Sequence, residues 1–198
     1  MKKILVFLMG IMLMLGVSSC KCTKDVEPVV EFTEAAIAAD RAQMDEMVDS
    51  YEWFETRVEY DNFFDADTTL AVVKAESLFQ VAVEDSLGIK TFVYDFIHYP
   101  DVEEPELKQI EGFILDDKPL NDEQIVLTFS EALERLYEAN LPKPHSAKVV
   151  LRKALGPKVA NAQYIFGNTE EQVFVDAVTG DVTDKNPVYD GVEPDEAE

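Results

Sequence analysis

The chain has 198 residues, with 17 Lys and Arg against 40 Asp and Glu, and a formal net charge of −23. A phosphate backbone repels such a surface, so composition argues against a nucleic-acid partner. Hydrophobic residues make up 47% of the chain, enough for a core and too many for a disordered protein.

Lys2 and Lys3 precede an apolar run from Ile4 to Val17, the plan of a secretory signal peptide. The run falls short of the roughly 20 residues a spanning helix needs, and Gly10 and Gly16 interrupt it. Val17-Ser18-Ser19-Cys20 resembles a lipobox, with cleavage between Ser19 and Cys20. That resemblance implies that residues 1–19 are removed and that Cys20 is acylated through its sulfur, palmitate being a typical chain. More than one acyl chain gives stable anchoring at about 0.8 kcal/mol per buried CH₂. The rival reading is an ordinary signal peptide cut near the same point, with Cys20 left as a spare thiol. Lys21, where an aspartate would favour the inner membrane, points to the outer membrane, facing the periplasm or the cell surface. Loss of Lys2 and Lys3 takes the charge from −23 to −25. Only Cys20 and Cys22 are present, so an acylated Cys20 leaves no disulfide framework.

Residues 20–30 read as a tether. Glu31 to Ser50 has Ile37, Met44, Met47, Val48 and Tyr51 at near-helical spacing and predicts a helix. Trp53 to Tyr60 reads as extended. Residues 68–87 fit a helix capped near Thr68 and ended by Gly88, with Glu76, Gln80 and Glu84 as its polar face. Those three also share one parity, so a strand is the alternative; the Ala, Glu, Lys and Leu content favours the helix. Ile89 to Tyr99 predicts a strand stopped by Pro100, with Leu107 to Leu115 as its antiparallel neighbour. Residues 31–120 thus form an N-terminal α+β region of no recognised family.

Thr128-Phe129-Ser130-Glu131 fits a capping box opening a helix over Thr128 to Asn140, with Leu127 and Ala132 placed as a staple. Strands are expected at 147–154, 163–166 and 172–178, with Gly167-Asn168 turning between the last two. Residues 184–198 read as a disordered acidic tail. Phe32-Thr33-Glu34-Ala35-Ala36 echoes Phe129-Ser130-Glu131-Ala132-Leu133, which leaves a duplicated unit open.

Chemistry is sparse. His98 and His145 are the only histidines, and no metal-binding spacing involves them. No nucleophile elbow, phosphate loop or dinucleotide fingerprint is present. Asp61, Asp65 and Asp67 lack the glycine and glutamate of a calcium loop. These observations call for no catalytic residue, no metal and no cofactor.

Leu127 to Leu133, Tyr164-Ile165-Phe166 and Val173-Phe174-Val175-Asp176-Ala177-Val178-Thr179-Gly180-Asp181-Val182 together resemble a PepSY domain, here spanning 121–183. Asp181 stands where the family usually has glutamate. The resemblance implies a cystatin-like helix packed on an antiparallel sheet, an α+β fold, and a protein-binding role that could restrain a peptidase. The closing signature reads physically as a strand with Val173 and Val175 inward, Asp176 capping a turn and Gly180 ending it. The leading expectation is a lipid-anchored, non-enzymatic envelope protein that binds a protein partner through its sheet or an exposed hairpin, with the sheet edges near 163–178 as the place to look if the partner is a peptidase. The alternatives are an accessory lipoprotein of an outer-membrane uptake or envelope assembly system, and an unrecognised hydrolase using paired carboxylates.

If Cys20 is the anchor, the full chain expressed in a Gram-negative host incorporates a clickable palmitate analogue and sediments with the membranes. Cys20→Ala loses both properties. Labelling of the alanine variant at the wild-type level would rule the anchor out.

Overall fold

The computed structural model describes residues 29–86 and 88–192. Residues 1–19, Cys20, Cys22 and most of the expected tether lie outside these, as do residues 193–198. The described chain runs α1 (Val29–Met47), β1 (Glu52–Tyr60), β2 (Val72–Asp85), β3 (Gly88–His98), β4 (Glu106–Glu111), β5 (Asp117–Lys118), a 3₁₀ turn (Asp122–Gln124), α2 (Phe129–Glu138), β6 (Lys148–Ala154), β7 (Gln163–Gly167), β8 (Gln172–Asp176) and β9 (Val182–Thr183). This is an α+β fold with an antiparallel sheet.

The strands lie in the order β4-β3-β2-β1-β6-β7-β8-β9, with β5 paired to the end of β6. The central pair is β1 and β6, antiparallel, with Thr56 opposite Leu151 and Val58 opposite Val149. From it each half of the chain runs outward as a meander, and each half is preceded by its helix. Residues 31–120 and 121–183 therefore share one sheet.

Both helices pack on the same face of that sheet. Met44 from α1 and Phe129, Ala132 and Leu136 from α2 join Val58, Phe79, Phe96, Val149, Leu151, Tyr164, Phe166 and Val175 in one core. Aromatic rings meet edge to face across it: Phe79 with Phe96, Phe64 with Phe166, Phe129 with Tyr164.

The residues at 68–87 form β2 rather than the favoured helix. Ala75, Ser77, Phe79 and Val81 are buried in alternation, and the strand pairs with β3 from Ala75 opposite His98 to Asp85 opposite Gly88. The shared parity of Glu76, Gln80 and Glu84 carried the true signal, because a period of two places them all on the second face. β4 is shorter than expected. It ends at Glu111, and the chain then leaves the edge to cross the sheet.

α2 begins as its sequence dictates. The Thr128 hydroxyl accepts the Glu131 amide, and the Glu131 carboxylate accepts the Thr128 amide at 2.8 Å. The matching residue of the echo does something different: Glu34 reaches across to accept the Phe129 amide at 2.9 Å. It ties α1 to the first turn of α2, where the helix dipole favours a carboxylate. In the closing signature Val173 and Val175 face the core, and Asp176 accepts the Val178 and Thr179 amides. Gly180 follows at φ +76, a conformation that side chains rarely adopt.

The expected tail does not behave as one disordered piece. Residues 184–192 fold back onto the second face, and Val188 is only 3% exposed. Its side chain fills the space that a Cβ on Gly156 would occupy, 2.7 Å from the Val188 Cβ. One buried valine seated against a glycine substitutes for the aliphatic cluster this segment lacks.

α1 is held by polar contacts as well as by Met44, Ala36, Phe32 and Ile37. Asp40 and His98 are both buried, with the His98 Nε2 2.6 Å from Asp40 Oδ1. Burial pushes the Asp40 carboxyl up, and its hydrogen bond and charge interaction with His98 offset this only in part. Removing one member strands the other away from water. His98→Leu should cost about 3–5 kcal/mol in urea unfolding, and Asp40→Leu in the same chain should return much of that loss. Additive losses in the double variant would mean that the two side chains do not interact.

Candidate binding surface on the second face

The register of the strands assembles a second face that neither helix covers. Side chains alternate, so residues opposite Arg57 in the pairing share its face: Glu76 and Ile97 on one side, Val150, Ile165 and Phe174 on the other. A neighbouring row runs Lys108, Asp95, Leu78, Glu55, Arg152 and Gln163. A third places Glu59 between Lys74 and Lys148.

Charges in this band are arranged so that opposite signs touch. Arg57 donates to Glu55 through Nε and to Glu76 through Nη1, the latter at 3.1 Å. Lys74 pairs with Glu76, and Lys148 lies 3.5 Å from Glu59. Burial alone would raise the Glu76 carboxyl, but Lys74 and Arg57 hold it below its ordinary value. Burial and the Glu76 charge push the Asp95 carboxyl up. In a chain of net charge −23, this face gathers five basic residues, Arg57, Lys74, Lys108, Lys148 and Arg152, among the acids Glu55, Glu59, Glu76, Glu84, Asp95, Glu106 and Asp176.

Two segments cross the face at one end. After β4 the chain forms a strap over residues 112–116. The Gly112 amide bonds to the Thr91 carbonyl at 3.0 Å, and the Ile114 amide to Gln80 Oε1 at 2.8 Å. β5 then pairs with the end of β6. Arg152 fastens the strap further, donating to Asp117 Oδ1 at 2.8 Å from Nε and to the Asp116 carbonyl at 3.3 Å. The second segment is the returning 184–192. Between the two lies a cavity of about 220 Å³, lined by Asp116, Arg152, Leu155, Phe174, Val188 and Tyr189 among others.

On the helical side a groove of about 280 Å³ opens between α1 and residues 125–129, bordered by Glu34, Ile37, Arg41, Trp53, Leu127 and Tyr164. Arg41 sits over the Trp53 ring at 5.1 Å. Both hollows fall just below the usual range of ligand pockets, about 300–1,000 Å³.

Neither histidine lines either hollow. His98 is part of the α1 latch, and His145 is exposed, 3.0 Å from Asp65 and beside the Phe63 ring. Asp61 accepts the Ala71 amide at 2.9 Å and so closes a loop. Among the described residues no three His, Cys, Asp or Glu side chains are placed to hold a metal ion. Ser19 and Cys20 lie outside the described residues. The strands at 163–178 are not a sheet edge, because β9 pairs with β8 through Val182 and Thr183. The long edge is β4, every residue of which is exposed. Compared with known proteins, the chain matches no family model, no curated protein and no solved structure.

Asp117 supplies a titration test of the strap. Burial, opposed by the Arg152 guanidinium and aided by Glu55, pushes its carboxyl up to about 6. In the unfolded chain an aspartate titrates near ~3.9, so the folded state holds the proton more tightly. This group's contribution to stability is greatest below about pH 4 and falls as pH rises to about 6, by on the order of 2 kcal/mol. Asp117→Asn removes that titration. The unfolding free energy of the variant minus that of the wild type should therefore rise across that window and level off above it. A difference independent of pH would show that Asp117 ionises as an exposed residue does.

Proposed function

We propose that this chain is an envelope lipoprotein, anchored through an acylated Cys20, that holds a protein partner against the second face of its sheet. The observation that carries the reading is the face that neither helix covers, where basic residues stand paired with acids in an otherwise strongly acidic chain. Protein interfaces place opposite charges in register and bury about 800 Å² on each side. A sheet eight strands across, at about 4.8 Å per strand, spans roughly 38 Å, wide enough for such a footprint.

The PepSY-like reading belongs to the same proposal. Its support is the capped α2 followed by the β6–β8 meander, a cystatin-like layout, over residues whose sequence resembles that family. The repeated helix-then-meander order of the first half, with the Phe32–Ala36 echo at its helix, supports a tandem of two such units. An envelope peptidase restrained by contact with the sheet is the partner class that this resemblance favours.

The test is crosslinking of the acylated protein in its own envelope, followed by mass spectrometry. A specific partner should be recovered with the wild type and lost with Arg57→Glu/Lys148→Glu, while Glu134→Lys on α2 retains it. Circular dichroism checks that each variant folds. Recovery unaffected by reversal of the two charges would overturn the assignment of the face.

A further inference from the structure

The strap that crosses the second face carries Phe113-Ile114-Leu115. Phe113 is 63% exposed and Leu115 66%, and near them Ile110 at the end of β4 is 57% exposed. A run of large apolar residues left in water is disfavoured in a soluble domain unless it has a use. These residues do not dangle. The Gly112 amide is bonded to β3, the Ile114 amide to Gln80 of β2, and the Asp116 carbonyl accepts the Leu155 amide at 2.9 Å. The backbone on both sides of Phe113 and Leu115 is thereby fixed before anything binds, which removes much of the ordering cost of association. An aromatic residue presented in this way is the usual form of an interface anchor.

We infer that Phe113 and Leu115 form an anchor that inserts into an apolar cleft rimmed by lysine or arginine on a partner protein. The inference rests on the protein-binding reading above and places its energetic centre. The charge of the rim follows from the surroundings. Asp116 follows Leu115 and is exposed, and Glu84 lies on the second face near the end of the adjoining strand. A second copy of this chain would set acid against acid, each copy at −23, so self-association through this ridge is disfavoured. A cleft lined with aliphatic groups and edged with cations satisfies both features.

The experiment places the photocrosslinker p-benzoylphenylalanine at position 113 of the full acylated chain, and separately at Tyr137 on α2 and at Arg57 in the middle of the face. The captured protein is identified and purified, and its affinity is measured against wild type, Phe113→Ser/Leu115→Ser and Glu84→Lys/Asp116→Lys. Support is an adduct at 113 and not at 137. The purified partner should then bind the serine variant at least about tenfold more weakly, with wild-type affinity falling as salt is raised. The lysine variant should also bind more weakly. An adduct at 57 but not at 113 overturns this inference while leaving the binding face standing. A dimer of this chain, undiminished affinity of the serine variant, or tighter binding by the lysine variant each overturns it as well. Both variants change surface residues, and hydrogen exchange across β2 and β3 verifies that the sheet beneath is intact.

Discussion

Everything in this molecule depends on the pairing of β1 with β6. Thr56 opposite Leu151 and Val58 opposite Val149 join two meanders into one sheet and align their buried faces. A slip by one residue would turn Leu151 and Val149 toward the second face and bring Val150 and Arg152 into the core, beneath the helices. The same register sets Arg57 beside Glu76 and Glu59 between Lys74 and Lys148. Core and charged face are thus two sides of a single alignment.

The two helices are held by different physics. α2 has the amphipathic pattern of a helix that packs by burying apolar groups, with Phe129, Ala132 and Leu136 inward. α1 places Thr33 and Asp40, as well as Ala36 and Met44, against the sheet. The Thr33 hydroxyl and Asp40 Oδ2 are buried without a hydrogen-bond partner in the structure, and such groups weaken a helix's attachment. What offsets this is directional: the Asp40–His98 contact, the Glu34 carboxylate on the Phe129 amide, and Arg41 over Trp53. Directional contacts fix one orientation of α1 more firmly than they stabilise it.

Legibility in the sequence followed the range of the interaction. The α2 cap could be read because Thr128 and Glu131 stand three apart and satisfy each other. The Asp176–Gly180 turn was equally local. β2 has the composition of a helix and the parity of a strand; its strand character comes from eleven partners in β3, which no short window contains. The segment 184–192 looked empty because a single valine is a weak signal until Gly156 is seen opposite it. The charged second face was not legible at all. Arg57, Lys74 and Lys148 are scattered over ninety residues, and only the strand order makes them neighbours. The Phe113–Leu115 run was present in the sequence, but it read as the continuation of a strand. Its meaning changed once β4 ended at Glu111.

Trp53 is the only tryptophan in the chain. It stands in the central strand, 6% exposed, with the Arg41 guanidinium over its ring and its carbonyl accepting the Leu120 amide at 2.7 Å. Its indole N–H reaches the Thr56 hydroxyl at 3.1 Å. The protein therefore carries a natural fluorophore at the meeting point of α1, the strap's continuation and the seam between the halves. Loosening of any of the three changes the polarity or quenching at one ring. Emission from this residue reads the integrity of the whole assembly without a label, and a single sigmoidal transition in it would be the optical signature of two halves that melt as one.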